Sequence, residues 1–439
     1  MSLMFSVSGL RGIVGKDLTP ELVSSYAQAF GSFIGSGTIL LGRDTRSSSP
    51  EFLKAVKRGL KMTRCAVIDL GIVPTPTVLF MVRTQRSKAG LIITASHNPS
   101  QWNALKFVMT GGRFLNKQEL KRFKQHIDRK RVTKKPSKSK PVRKCTDAIH
   151  RHIERILKTV HVPTPNIAVA IDAVNGAGSK ALPQLVRSMG CRVYEVNCTY
   201  SGRFPRGPEP VPENLYQLSH LVRVKRCDIG IACDPDCDRV SIVDEKGRPV
   251  GEDMSIVLGA DYLLKAIKGP VVTNLSTTSL LEHVCNKYGC KLYRTPVGEA
   301  HVVEKMQKVN AVFGGEGNGG IIDPRINLTR DALVGTAFAI ALLVQRKKTL
   351  SRIIASYPRY GMVKVKVHMT RDRFERKKPR LRSLLKGRVT TRDGLRFTAK
   401  DFWVHIRPSQ TEPLVRIIGE SSNAEYIRHI VHKIQRILS

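Results

Sequence analysis

The amino-acid sequence predicts three consecutive α/β domains followed by a smaller α+β domain. Three observations carry this expectation. The 439-residue chain exceeds what one hydrophobic core supports and suggests about two to four domains. A strand-to-helix pattern occurs three times, as TILLGRDTRSSSP at 38–50, IAVAIDAVNGAGS at 167–179 and PVVTNLSTTS at 270–279. The C-terminal stretch reads differently: GMVKVKVHMT, RFTAKDFWVHIRPS and PLVRIIGE are strand-like, and SNAEYIRHIVHKIQRIL is a closing helix behind a Ser-Asn N-cap.

Each of the three repeated segments is a β-branched run that ends in Asp or Asn, passes through small residues and enters a helical pattern. That punctuation is typical of α/β units. Their similar spacing along the chain suggests related domains in series. The expected division is 1–148, 149–254, 255–361 and 362–439. The longest apolar run, 332–344, lies between Asp331 and Arg346. It falls short of the roughly 20 residues that span a bilayer and reads as a buried helix.

Composition narrows the class. A hydrophobic fraction of 41% is ordinary for a soluble globular protein. The opening MSLMFSVSGLRG has neither the basic start nor the apolar stretch of a signal peptide. The nine cysteines are scattered without a C-x-x-C pair, which suggests reduced thiols and a cytoplasmic protein. The expected assembly is a monomer or a homodimer, with no membrane partner. Charge is the unusual feature: 74 Lys+Arg against 35 Asp+Glu give +39, a field that attracts anions such as phosphosugars or nucleic acid. The stretch 121–144 is half basic, contains two prolines, and reads as an exposed linker or loop, as does 371–388. Neither has interleaved aromatics on which bases stack, so nucleic acid is an unfavoured partner.

Four constellations carry chemistry. Thr94-Ala-Ser-His-Asn-Pro99 follows the apolar strand at 89–93, so Ser96 lies at a strand's C-terminal end, where α/β domains collect ligands. A serine nucleophile needs help; His97 and Lys106 could supply a base or hold phosphate charge. Alone, the hexapeptide would be an ordinary turn. Asp234-Pro-Asp-Cys-Asp-Arg239 places Asp234, Asp236 and Asp238 on one tight loop. Three such like charges repel unless a cation joins them, and hard oxygen ligands favour Mg²⁺ or Ca²⁺, Mg²⁺ suiting phosphoryl chemistry. Arg239 could take a phosphate bidentately. Cys233 and Cys237 flank the loop at a spacing unlike zinc sites. Gly314-Gly-Glu-Gly-Asn-Gly-Gly320 lets backbone approach a ligand, with Glu316 and Asn318 available to hydroxyls. Finally, Arg407, Ser409, Gln410 and Thr411, read as a loop between strands, can cradle a phosphate dianion.

Taken together and in this order, the four segments resemble the α-D-phosphohexomutase superfamily, and Ser8-Gly-Leu-Arg-Gly12 extends the likeness to nearly the whole chain. The resemblance implies three α/β/α domains and a C-terminal α+β domain around a central cleft, each giving one loop. It implies a mutase using Mg²⁺, in which Ser96 is a phosphoserine and its phosphate completes a metal sphere of Asp234, Asp236 and Asp238. Arg11 and Lys106 match basic residues near the transferring phosphoryl group. Glu316 and Asn318 match sugar-hydroxyl contacts, and Arg407, Ser409, Gln410 and Thr411 match the loop for the non-reacting phosphate. The implied reaction passes through a hexose 1,6-bisphosphate that turns over within the cleft. Three departures stand out. Gly320 occupies a position where many members carry histidine, Gln410 replaces an asparagine, and Ala104 stands where Asn-Gly is common. GEGNGG together with Thr295-Pro-Val-Gly-Glu-Ala300 resembles archaeal-type phosphoglucosamine mutases. Gly317, in place of a larger side chain, is expected to leave room for an amino group, favouring glucosamine phosphate over mannose or glucose phosphate.

Overall fold

The structure, a computed structural model, describes residues 3–128, 141–162, 166–384, 387–409 and 414–439. Four sheets succeed one another along the chain. In the first, of eight strands, the central run is Arg64–Ile72, Ser36–Arg43, Ala89–Ile93 and Trp102–Met109. The last pair is antiparallel and the others are parallel. The second sheet repeats that pattern as Arg192–Val196, Ala168–Asp172, Ile229–Cys233 and Val240–Asp244. The third repeats it again as Leu292–Thr295, Val271–Asn274, Phe313–Glu316 and Gly320–Ile322. The three repeated sequence segments are thus the corresponding strand of three like sheets.

This topology has a functional consequence. In each sheet the final antiparallel hairpin carries one candidate loop: Ser96, the aspartate cluster, and Glu316 with Asn318. The fourth sheet is fully antiparallel, and Arg407 lies near the end of its strand Phe402–Pro408, which pairs with Leu414–Ser421. The closing helix Ala424–Leu438 is capped by Asn423, which accepts from the amides of Glu425 and Tyr426.

The expected buried helix is Ala332–Arg346, capped by Asp331. It packs against helix Glu252–Ala266, and one continuous apolar core runs through both middle sheets and these helices. The apolar faces explain this: neither helix has a solvent side wide enough to bound a separate core. Among the described residues, no helix is long and apolar enough to cross a membrane.

Both basic stretches depart from the expectation of loops. Helix Lys117–Asp128 buries Phe123, with Leu120 and Ile127 packed against the first core. Arg143–Lys144 forms a short strand on Arg64–Ile72, while 129–140 lie outside the described residues. Helix Arg371–Leu384 buries Phe374 and Leu381, an i, i+7 pair on one face. One anchor per two turns is too sparse to show as periodicity among so many cations.

The fourth sheet is docked on the third. Buried Glu420 accepts from the Thr278 hydroxyl, the Ser279 amide (2.7 Å) and Trp403 Nε1 (2.6 Å). His405, wholly buried, donates from Nε2 to the Asp393 carbonyl (2.6 Å), which leaves Nδ1 to accept from the Ser276 hydroxyl (2.8 Å). Burial pushes this imidazole down to about 4, with Arg407 and Arg396 adding to the effect. Below the ordinary histidine value of 6.5 the unfolded chain takes up a proton that the folded one refuses. Stability contributed here is therefore complete above pH 6.5 and declines as pH falls toward 4. The loss is on the order of 3 kcal/mol. Thermal melts of His405→Gln and the parent from pH 7 to pH 4.5 are expected to converge at the acid end.

Candidate active site

Strand Ala89–Ile93, buried throughout, delivers the Ser96 loop to the cleft. Ser96 itself has φ +53°, a left-handed conformation costly for a residue with a side chain. The loop is wrapped around Arg46, which is 1% exposed. Its guanidinium donates to the carbonyls of Ser96, Asn98 and Pro99 (each 2.7 Å) and Trp102 (2.9 Å), and to the Asp44 carboxylate (3.0 Å). Gathering four carbonyls on one buried cation holds the strained turn. Ser96 Oγ faces His97 Nδ1 at 3.3 Å and donates to Asp234 Oδ2 at 3.1 Å, so the first and second sheets meet at this hydroxyl.

The aspartate loop follows strand Ile229–Cys233. Asp234 Oδ1 accepts from the amides of Asp238 and Arg239 (3.1 and 3.2 Å), folding the loop back on itself. One oxygen from each of Asp234, Asp236 and Asp238 lies within 4.8 Å of the others, and all three residues are buried. Burial and then the charges of Asp238 and Asp236 push the Asp234 carboxyl well above the carboxylate range. Burial acts on Asp236 in the same sense, but Lys106 Nζ and the Thr75 hydroxyl, both 2.7 Å from Oδ2, outweigh it and hold Asp236 below that range. Asp236 Oδ1 and Asp238 Oδ1 have no hydrogen-bond partner although buried. Two orphan carboxylate oxygens beside a third acid, all hard donors, fit a divalent cation. Among the described residues this is the single such cluster of metal-binding side chains. Cys233 and Cys237 pack against Gly178 instead.

Cations ring the cluster. Arg11 Nη1 donates to Asn98 Oδ1 (2.6 Å). Arg239 Nη1 donates to Glu209 (2.8 Å), and its Nε lies 3.8 Å from Asp238. Burial and the charges of Arg239, Arg11 and Arg330 push the His97 imidazole well below its ordinary range. The uncharged imidazole is therefore the favoured form among these cations. Ala104 is buried in strand Trp102–Met109 and leaves Lys106 in reach of Asp236.

Profiles of four domains described as phosphoglucomutase/phosphomannomutase match this chain. Alpha/beta/alpha domain I covers 2–134, domain II 150–247, domain III 251–360 and the C-terminal domain 362–437. The chain belongs to the phosphoglucomutase/phosphomannomutase family. Among its relatives, a "Probable phosphoglucosamine mutase" of Methanopyrus kandleri is 36% identical, over 98% of this chain and 96% of that protein. The "Phosphoglucosamine/phosphogalactosamine mutase" of Sulfurisphaera tokodaii is 31% identical, over 100% and 99%. A family member from Burkholderia thailandensis has the same fold at TM-score 0.86 and 24% identity, covering 99% of this chain and 98% of that one. Aspergillus fumigatus N-acetylphosphoglucosamine mutase, solved with GlcNAc-6P and magnesium, aligns at TM-score 0.64 and 14% identity, over 100% and 96%. The protein is an intramolecular phosphotransferase of the phosphohexomutase class.

Within this family fold the remaining residues can be placed. Glu316 is buried and accepts from Asn274 Nδ2 and the Gly298 amide, each at 2.9 Å, and from Arg330 Nη1 at 3.2 Å. Asn318 Oδ1 accepts from the Gly320 amide (3.3 Å). Arg407 is not on a loop. It lies within strand Phe402–Pro408, and its Nε donates to Asp393 Oδ2 (3.1 Å), which also accepts from the Val297 amide (2.9 Å). Ser409 pairs through its amide with the Leu414 carbonyl (2.7 Å). Gln410 and Thr411 lie outside the described residues.

One expectation fails: a Cβ on Gly317 would lie 2.1 Å from Asp253 Oδ1. The space beside this glycine holds a carboxylate, and it makes no room for a sugar substituent. Glu209 and Arg330 are site residues that the sequence reading missed. Glu209 sits in a loop without periodicity. Arg330 precedes the cap of an apolar helix, and nothing local to it suggests a ligand.

Proposed function

We propose that the protein interconverts glucosamine 6-phosphate and glucosamine 1-phosphate through phosphoserine at Ser96 and a glucosamine 1,6-bisphosphate. The observation that carries the reading is the meeting of Ser96 Oγ with Asp234 at 3.1 Å beside the Lys106–Asp236 pair. A hydroxyl from one sheet and a carboxylate cluster from the next converge there with little solvent. In this reading 1–148 supplies the phosphoserine loop, 149–254 the cation loop, 255–361 the sugar loop and 362–439 the phosphate loop.

Asp234, Asp236 and Asp238 would hold Mg²⁺, which neutralises phosphoryl oxygens during transfer. The chain's own residues do the rest. Ser96 Oγ gives its phosphoryl group to a sugar hydroxyl: the Oγ–P bond breaks, the new O–P bond forms, and the hydroxyl proton passes by way of His97, whose Nδ1 lies 3.3 Å from Oγ, to the serine oxygen left behind. Lys106 and Arg11 offset charge on the equatorial oxygens. Glu316 and Asn318 orient sugar hydroxyls. Arg407, Ser409, Gln410 and Thr411 grip the other phosphate, which returns to Ser96 after the sugar turns end for end.

The amino sugar is supported by the names of relatives such as those of Methanopyrus kandleri and Sulfurisphaera tokodaii. A second reading, glucose or mannose phosphate, is favoured by a "Phosphoglucomutase/phosphomannomutase" of Thermococcus kodakarensis, 35% identical over 98% of this chain and 96% of that protein. A coupled assay decides between them, with Mg²⁺, a trace of bisphosphate and each hexose 6-phosphate in turn. The expected order puts glucosamine 6-phosphate first in kcat/KM. A higher value for either neutral sugar rejects the amino-sugar assignment.

A further inference from the structure

Arg330 enters the cleft through the space that Gly320 leaves. A Cβ at 320 would lie 2.2 Å from Arg330 Cδ, so any larger residue there would expel this side chain. Its guanidinium serves three carboxylates from different elements: the aspartate loop, the end of strand Phe313–Glu316 and the start of helix Glu299–Val309. Nη2 donates to Asp238 Oδ2 at 2.6 Å and Nη1 to Glu316 Oε2 at 3.2 Å, and Nε lies 3.3 Å from Glu299 Oε2. Glu299 is in turn fixed by the Thr329 hydroxyl and the Arg330 amide. The Arg330 side chain is 12% exposed: enclosed by acids, it still reaches the cleft.

Asp238 is therefore divided. Oδ1 is buried without a hydrogen-bond partner, 3.8 Å from Arg239 Nε, while Oδ2 is held by a permanent side-chain cation 2.6 Å away. A divalent ion bound at Oδ1 would sit beside that guanidinium, and two cations sharing one carboxylate oppose each other. An arginine keeps its charge under all ordinary conditions, so it yields only by moving. The neighbours available to it are Glu316 and Glu299, on the sugar side.

We propose that Arg330 is a positioning residue that stands in for the cation at Asp238. When a divalent ion takes that carboxylate, Nη2 is released toward the sugar loop, where an acceptor oxygen of the phosphosugar receives it. Cation loading and phosphosugar binding are thereby linked through one side chain, and the linkage is reciprocal. The inference rests on reading the aspartate cluster as the cation site.

The test uses Mn²⁺ alone as the probe, titrated calorimetrically into dephosphorylated full-length protein. Arg330→Gln is expected to bind Mn²⁺ about tenfold more tightly than the parent, within the usual range of site–site coupling. With Mn²⁺ saturating, the same variant is expected to bind glucosamine 6-phosphate or glucose 6-phosphate about tenfold more weakly. Arg330→Lys keeps the charge but not the three-way fork; it is expected to shift both affinities in the same directions by smaller factors, and it carries the test if the glutamine variant does not fold. A residue with only a structural role would weaken Mn²⁺ binding when removed, so equal or weaker Mn²⁺ affinity in the folded variants overturns the inference. Asp236→Asn separates the two levels. If the parent binds no Mn²⁺, or Asp236→Asn binds it as well as the parent, the cation site is misread and the inference falls with it.

Discussion

Ser96→Ala is expected to abolish mutase turnover while leaving the fold intact. In the proposed reaction this hydroxyl carries the phosphoryl group covalently, and without it both half-reactions lose their partner. A loss of roughly 10⁴-fold or more in kcat follows, ~5.5 kcal/mol of transition-state stabilisation. The loop should survive, because its strained turn is held by Arg46 through the backbone carbonyls of Ser96, Asn98, Pro99 and Trp102. The Ser96 side chain contributes its contact with Asp234 at 3.1 Å and that with His97 at 3.3 Å. A melting temperature within a few degrees of the parent, measured alongside the assay, would separate a chemical defect from a folding one. Retained turnover would remove Ser96 from the mechanism.

The second large effect is expected at Lys106, whose ammonium lies 2.7 Å from Asp236 with side-chain exposures of 5% and 1%. Lys106→Met keeps the length and removes the charge. It leaves a buried carboxylate with the Thr75 hydroxyl as its remaining close donor, at a cost of about 3–5 kcal/mol. Two features identify this cause. Mg²⁺ should restore much of the melting temperature, because a bound cation supplies the missing charge. The deficit should also shrink in acid. In the parent, Asp236 is held below its ordinary value of 3.8, so its stabilisation is present above that pH and is lost as pH falls through the lower folded value. In the variant the carboxyl takes up a proton more readily, and a protonated acid needs no cation. Denaturant melts with and without Mg²⁺, repeated down to pH 4, check both. A deficit indifferent to Mg²⁺ and pH would mean that lost packing, not charge, is responsible.

The sequence was most informative where chemistry and local backbone coincide. The Ser96 and Asp234–Asp238 loops are legible because each follows a buried, β-branched strand and packs its reactive residues into one short turn. The repeated strand-loop-helix segments announced three related sheets for the same reason. Arg330 and Glu209 were hidden because their roles depend on where distant segments meet: Arg330 touches Asp238, Glu316 and Glu299, which come from two sheets and a helix start. Gly317 was misread because a glycine in a sequence looks like empty space, whereas its neighbour in the fold is the Asp253 carboxylate. The basic helices Lys117–Asp128 and Arg371–Leu384 were missed since their anchoring apolar residues are few. Solvated cations can cover a helix without revealing its period.

The claim on which the rest depends is that Ser96 both receives and returns phosphate. It is tested most directly by mapping phosphate on the intact protein after incubation with glucose 1,6-bisphosphate and Mg²⁺, then again after adding excess hexose monophosphate. The predicted result is one phosphate, located on Ser96, that leaves as hexose bisphosphate appears. Phosphate on another residue, or none on Ser96 in a preparation that turns over substrate, would contradict it.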